Sequence, residues 1–182
     1  DGEDVADHTA RLAALLADGS RDAIARARSL TDASARFNVG PVARNVNIPT
    51  MGMAYLEPAR VGGARFTRAG AEQIEGVDTV ILAFEETARP TFVRGDGNSD
   101  VTARGRYWVH PGSGAIVRAQ VDFTGGELTG SMQVETGLHE TLSVWVPRRM
   151  NETWHAKGQR TTGFAEYDRF ERLTISTGEI VK

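Results

Sequence analysis

Residues 104–124, with the sequence RGRYWVHPGSGAIVRAQVDFT, decide the fold of this chain. Positions 104–110 indicate a strand, and it closes at PGSG, 111–114, a run typical of a tight turn. Beyond the turn, apolar residues occupy every second position, at Val117, Ala119, Val121 and Phe123. Polar residues fill the positions between them, at Arg118, Gln120 and Asp122. Because successive side chains of a strand point to opposite faces, this alternation predicts a strand with one apolar and one solvated face.

The same pattern extends in both directions from this hairpin. The glycines at 125–126 turn the chain, and apolar positions then recur at Leu128, Gly130, Met132 and Val134. Further segments with strand character lie at 78–86, 142–146, 150–156 and 163–175. The first of these is apolar on both faces, which is typical of an interior strand. Since the period of two begins at Ala64, we predict roughly eight strands in an antiparallel meander over about 64–176.

Helices are predicted before the sheet. Segments 7–17 and 21–37 carry apolar residues at helical spacing, and 38–48 is interpreted as a linker or edge segment. A third helix is predicted to open at Pro49, because proline fits the first turn of a helix. A strand is the alternative there, since Gly52 weakens a helix by about 1 kcal/mol relative to alanine.

Composition excludes several classes of function. The chain of 182 residues has no cysteine and a formal net charge of −3. Without cysteine there are no disulfides, thiolate nucleophiles or Cys-ligated zinc sites. The negative net charge gives no overall field that favours nucleic acid. No run approaches the about 20 apolar residues of a membrane span, so we expect no transmembrane segment in this chain.

A sheet that is apolar on one face must cover that face, and the predicted helices at about 7–58 are the available cover. We therefore predict an α+β fold in which N-terminal helices cover the concave face of a long curved antiparallel sheet, a half-open barrel. The length predicts a single domain over 1–182.

Two stretches carry a family resemblance, VDTVILAFEE at 77–86 and GRYWVHPGSGAIVRAQVDF at 105–123. With them the chain resembles exported bacterial proteins that share the LolA-like half-barrel pattern of outer-membrane lipoprotein sorting. The matching unit is an apolar strand ending in acidic residues, followed by Gly105, Trp108, Val109, Pro111, Ser113, Gly114 and Arg118. Passages at 35–58, 142–154 and 163–177 are similar as well.

The resemblance implies the half-barrel fold and, for the carrier branch of the group, an apolar cavity that shelters acyl chains. It implies a periplasmic or extracellular location in the bacterial cell envelope. Members of the group have further strands upstream of the point that matches residue 1. Because this chain also begins without an initiator methionine, we expect it to be processed, trimmed or taken from an internal point, and we expect part of the sheet to lie upstream.

Groups that could catalyse a reaction or bind a metal are few. Three histidines and one acid fall in the predicted sheet, at His110, His139, Glu140 and His155. They show no HExxH spacing, so we interpret them as surface or turn residues, with His155 facing solvent. Glu85 and Glu86 point to opposite faces of one strand and cannot be the paired carboxylates of a glycosidase. We expect both to mark the solvent end of that strand.

The acidic run 96–100 has the composition of a calcium loop but lacks the length and terminal Glu of an EF-hand, so a hairpin loop is predicted. Nucleophile-elbow, Walker and GxGxxG motifs are absent from the sequence. We therefore predict no catalytic residue, no metal site and no cofactor.

The function expected from these features is a non-enzymatic binding or carrier protein of the cell envelope for a hydrophobic lipid or acyl ligand. Its cavity would lie between the concave sheet face and the helices. Methionine suits such a lining because it adapts to variable apolar shapes. The predicted ligand-binding residues are Met51, Met53, Tyr55, Val117, Val121, Phe123, Met132, Val134, Leu142 and Val144. Plain core packing is the alternative for each of them.

The second hypothesis is an accessory interaction subunit that docks on a larger envelope complex and has no small ligand. Trp145 is out of phase with its apolar neighbours, so it is predicted on the wet face, as a contact surface or as part of a second small core. Arg148 and Arg149 follow a predicted strand break and face either an anionic group or solvent. These three residues are the predicted partner contacts.

Overall fold

The computed structural model describes residues 49–170. The helices predicted at 7–17 and 21–37, the linker at 38–48 and the end of the last predicted strand lie outside the described residues. The single domain over 1–182 and the upstream strands therefore remain predictions. In the described part, no helix is both long enough and apolar enough to cross a membrane.

Eight antiparallel strands and three 3₁₀ helices make up this part of the chain. The strands are β1 (Ala64–Ile74), β2 (Val77–Glu86), β3 (Val93–Arg94), β4 (Asp100–Val109), β5 (Ile116–Gly125), β6 (Leu128–His139), β7 (Val144–Ala156) and β8 (Gln159–Glu166). The 3₁₀ helices are Pro49–Leu56, Val61–Gly63 and Asp96–Asn98.

The strands form one open sheet in the order β1-β2-β4-β5-β6-β7-β8, and the short β3 pairs with β4 beside this path. Each long strand pairs with the next long strand along the chain, so the connections are hairpins, and β1 and β8 are the two edges. The predicted meander that begins at Ala64 is confirmed.

The helix predicted to open at Pro49 is a 3₁₀ helix that ends at Leu56. It packs on one face of the sheet, where Gly52 lies against Val134 and Ala119. We call this the inner face; it also carries Tyr107 and Val121. The opposite, outer face carries Arg104, Arg106 and Trp108.

Two apolar clusters stabilise the sheet, one on each face. The inner-face cluster is the larger, with the buried members Tyr55, Phe84, Val101, Ala103, Tyr107, Ala119, Val121, Phe123, Met132, Val134, Met150 and Trp154. The outer-face cluster is built on Ile74, Trp108 and Val117, with Val77, Ile81 and Trp145 packed against it. A sheet buried in places on both faces explains why 78–86 lacks a simple alternation.

The prediction that Val117 shares a face with Val121 is wrong. The pairing of β4 with β5 shifts register between Trp108 and Val109, which places a β-bulge at this point of the hairpin. The extra residue turns Val117 onto the outer face, where it packs with Trp108. A bulge changes which face of the sheet the residues on one side of it point to, and the alternation of apolar residues does not reveal this change.

A second irregularity lies between β6 and β7. The strand predicted to break at Pro147 instead runs unbroken through Val144–Ala156, and the register shift between Glu135 and Thr136 accommodates the proline. Proline lacks a backbone N–H, so a bulge is one of the few places where a sheet accepts it. Leu142, predicted as part of this strand, lies in the turn that precedes it.

Candidate ligand site

The inner-face cluster contains seven of the ten residues predicted to line a ligand cavity, and they pack there as one apolar group. They are Met51, Met53, Tyr55, Val121, Phe123, Met132 and Val134. Met51 and Met53 are half-buried and come from the 3₁₀ helix, whereas the strand residues among them are at most 2% exposed. The structure thus brings this subset together.

The other three predicted lining residues lie elsewhere. Val117 belongs to the outer-face cluster. Leu142 is half-buried in the turn before β7, and Val144 is 45% exposed at the start of that strand. Neither belongs to the two apolar clusters of the described residues. The alternating pattern grouped Leu142 and Val144 with the inner-face residues because the pattern alone does not show where β7 begins.

Three aromatic rings form a stack at the centre of the inner face. The ring of Tyr55 lies 4.9 Å from that of Phe84, and Phe84 stacks on Tyr107 at 5.1 Å with the two planes 15° apart. Both tyrosine hydroxyls are buried, and within 49–170 neither has a hydrogen-bond partner. Two phenol groups are therefore held in an apolar setting with their hydrogen-bonding capacity unused, which is rare for buried polar atoms.

The electrostatic setting keeps these phenols protonated. Burial raises the pKa of the Tyr55 hydroxyl far above its ordinary value, and the nearby Glu86 carboxylate raises it further. Burial alone raises the pKa of Tyr107. Each group is therefore a neutral O–H donor over the physiological range of pH.

A small pocket of about 210 Å³ opens beside Tyr55. Arg60 lies over the ring of Phe92 at 4.2 Å, and Glu86 and Pro90 also line the pocket. This volume is below the roughly 300 Å³ at which pockets for drug-sized ligands begin. The pocket adds polar groups to one end of the inner face and is too small to hold a lipid chain by itself.

The prediction that Glu85 and Glu86 both face solvent is wrong for Glu86, which is only 5% exposed. Its carboxylate accepts hydrogen bonds from the backbone N–H groups of Phe92, at 2.7 Å, and Ala103, at 3.2 Å. Glu85 is exposed as predicted. The alternation of faces that separated the two acids already implied that one of them points inward.

Glu152 is a second buried acid that the sequence analysis did not single out. It is 4% exposed and accepts a hydrogen bond from Trp154 Nε1 at 2.9 Å. The alternation along β7 could have indicated this burial, because Glu152 occupies the position between Met150 and Trp154 on the inner face. Buried carboxylates must be hydrogen-bonded or paired, and both of these are.

The predicted partner contacts each have partners within the sheet. Trp145 packs against the outer-face cluster, which is the second small core that the sequence left open. Arg148 donates to the carbonyl of Leu138 at 3.1 Å. Arg149 forms ion pairs with Glu135 and Glu166, each at 3.6 Å. The two arginines remain exposed, so their side chains are also accessible to solvent.

The histidines occupy turns and the surface. His110 Nδ1 accepts the N–H of Ser113 at 3.1 Å, and His139 Nδ1 accepts that of Leu142 at 3.3 Å. His155 is exposed, as predicted. The loop at 96–100 is a hairpin loop, also as predicted. Within 49–170 no group of three or more His, Asp or Glu side chains is placed to hold a metal ion.

Comparison with protein-family models, with curated proteins and with solved structures finds no match to this chain.

Proposed function

We propose that the protein is a non-enzymatic binding or carrier protein of the bacterial cell envelope, for a hydrophobic ligand with a hydrogen-bond-accepting head. In this proposal the fold is LolA-like, a half-open barrel, and N-terminal helices together with Met51 and Met53 cover a concave inner face. The supporting observation is the pair of buried hydroxyls on Tyr55 and Tyr107, neither of which has a hydrogen-bond partner within residues 49–170.

Ligand pockets of this kind are mostly apolar, with a few polar groups that fix the orientation of the ligand. The inner face has this composition, because the two phenols lie within a cluster of aliphatic, methionine and aromatic side chains. Both phenols are donors, so the matching ligand group is an acceptor, such as the carbonyl or carboxylate of an acyl chain. The thioethers of Met51 and Met53 would adapt to the chain itself.

The proposal is tested first by native mass spectrometry of the full chain after mild extraction, with acyl lipids as the expected co-purifying mass. A dansyl-labelled fatty acid is then titrated into the delipidated protein. We expect Tyr107→Phe to weaken binding about three- to tenfold, because one hydrogen bond of about 0.5–1.5 kcal/mol is lost.

Tyr167→Phe is the matched control, since the Tyr167 hydroxyl already contacts Met150 Sδ at 3.8 Å. It should bind the probe as the wild type does. Absence of any co-purifying lipid together with no saturable binding of the probe contradicts the proposal. Equal affinity of Tyr107→Phe and wild type contradicts the role of the phenols.

The second candidate is the accessory interaction subunit, and exposed apolar side chains favour it. Phe164 on the edge strand β8 is 63% exposed, and Leu138 in β6 is 49% exposed, opposite Trp145 and in contact with Arg148. Sedimentation of wild type and Phe164→Ser over a range of concentrations tests this reading. Self-association or partner binding that Phe164→Ser abolishes supports it, and a monomer at all concentrations argues against it.

A further inference from the structure

A row of alternating charges crosses the outer face of four adjacent strands. Arg65 of β1 is opposite Glu85 of β2, which is opposite Arg104 of β4, which is opposite Asp122 of β5. In the neighbouring row, Arg106 is opposite Gln120. These side chains line an open groove of about 660 Å³, together with Thr67, Ala83, Phe84 and Gly105. We call it the arginine groove.

The three arginines of the groove have no hydrogen bond or ion pair within the described residues. Arginines elsewhere in 49–170 are mostly engaged, as Arg94 is with Asp100 and Arg118 with Glu135. In the part of the chain that the structure describes, Glu85 also lacks a donor, whereas Asp122 accepts from Ser131 Oγ at 2.8 Å. The groove therefore concentrates free guanidinium groups, and each can offer two parallel N–H donors to an oxyanion.

Gly105 keeps the two arginines of β4 in place. A Cβ on Gly105 would lie 2.0 Å from the carbonyl oxygen of Gln120 and 2.7 Å from the ring of Phe84, so no side chain fits there. Strand β4 can consequently lie close against β5, with Arg104 and Arg106 on the same face and about 7 Å apart along the strand. Their separation is therefore set by the backbone of a single strand.

We propose that the arginine groove binds a small hydroxylated oxyanion, such as a sugar phosphate or a sugar acid. Arg104 and Arg106 hold the oxyanion, and Glu85 and Asp122 accept hydrogen bonds from its hydroxyl groups. The volume lies within the roughly 300–1,000 Å³ of small-molecule pockets. The interleaved carboxylates and the net charge of −3 disfavour an extended polyanion or an anionic membrane, which need an unbroken positive surface.

The experiment is calorimetric titration of the full chain at low ionic strength with three probes: glucose 6-phosphate, inorganic phosphate and glucose. In parallel, the arginine Nε–H resonances are followed by NMR. We expect glucose 6-phosphate to bind most tightly, and affinity to fall as salt is added, because exposed charges are screened. Arg104→Gln and Arg106→Gln should each weaken its binding about tenfold or more, since a charge-assisted hydrogen bond contributes about 1.5–3 kcal/mol.

Arg160→Gln is the matched control, because Arg160 is an exposed arginine of β8 on the same face, away from the groove, and has no partner among residues 49–170. It changes the net charge equally and should leave affinity unchanged. A circular dichroism melt shows that each variant folds. The proposal is overturned by no saturable binding of any probe, or by an equal loss of affinity in Arg160→Gln. If inorganic phosphate binds as tightly as glucose 6-phosphate, Glu85 and Asp122 do not contact ligand hydroxyl groups. If glucose binds as tightly as glucose 6-phosphate, the groove does not recognise an oxyanion and the proposal is overturned.

Discussion

Trp154 lies across Gly130 of the neighbouring strand, so closely that a Cβ on Gly130 would stand 2.2 Å from Trp154 Cε3. The indole also stacks on Phe123 at 5.2 Å. An aromatic ring that covers a glycine of a paired strand is a device that fixes register. We expect Gly130→Ala to displace the indole and lower the free energy of unfolding by about 1–3 kcal/mol, measured by urea denaturation.

Gly62→Ala is the control for this substitution. Among the described residues, no atom beyond its chain neighbours and its own short helix lies within 4 Å of a Cβ added at Gly62, so the change in unfolding free energy should stay within about 0.5 kcal/mol. If Gly130→Ala is as stable as Gly62→Ala, the indole is free to move and does not fix the register of β6 and β7.

The meander itself could be predicted from the sequence because it depends on local patterns. The turn at 111–114 and the alternation from Val121 to Phe123 report strand and face directly. Val117 could not be placed, because a bulge is a property of how two strands pair rather than of either strand's composition. The same limit hid the continuity of β7 through its proline.

The buried acid at the end of β2 gives the second prediction. Glu86→Ala leaves the N–H groups of Phe92 and Ala103 without their acceptor, at about 1–3 kcal/mol for each buried unsatisfied donor. We expect the free energy of unfolding to fall by about 2–4 kcal/mol. Glu86→Gln keeps an acceptor oxygen and should fall between this variant and wild type.

Glu85→Ala is the matched control, since Glu85 is the exposed neighbour on the same strand. Its unfolding free energy should differ from that of the wild type by less than about 0.5 kcal/mol. Similar losses for Ala at both positions would mean that the two backbone donors find water when the carboxylate is removed.

The turn between β4 and β5 gives the third prediction. The side chain of His110 accepts the N–H of Ser113, and its carbonyl accepts that of Gly114 at 2.9 Å. Asparagine accepts such a turn N–H in the same way, so His110→Asn should retain wild-type stability. His110→Ala should lose about 1 kcal/mol, comparable to a lost cap. His155→Ala, at an exposed position, is the control. If it loses as much stability as His110→Ala, the His110 side-chain acceptor does not stabilise this turn.

The candidate sites were less accessible to sequence reasoning than the fold. Met51 and Met53 could be assigned to the ligand site because methionine adapts to variable apolar shapes, and the structure packs both against the inner-face cluster. The arginine groove was not found, because Arg65 and Arg104 are 39 positions apart in the numbering and meet only through the register of three strands. The charged residues of each strand, taken alone, predict only an ordinary solvated face. The groove becomes apparent only when the register between the strands is known.

Alkaline pH gives the last prediction, since the pKa values of Tyr55 and Tyr107 are raised by burial. Above about pH 10, tyrosines of the unfolded chain lose their protons while these two keep theirs in the folded state. The unfolded state then binds fewer protons, so the free energy of unfolding falls as pH rises, by about 1.4 kcal/mol per pH unit for each tyrosine. Below that pH the contribution is fully present.

Tyr107→Phe should remove one such slope in urea titrations between pH 9 and about pH 11, and should be equally or more stable at pH 7, because an unpartnered buried hydroxyl is gone. Tyr167→Phe changes a half-buried tyrosine and should reduce the slope less. An unchanged slope in Tyr107→Phe would show that its hydroxyl reaches solvent, and the buried donor proposed for ligand binding would then be lost as well.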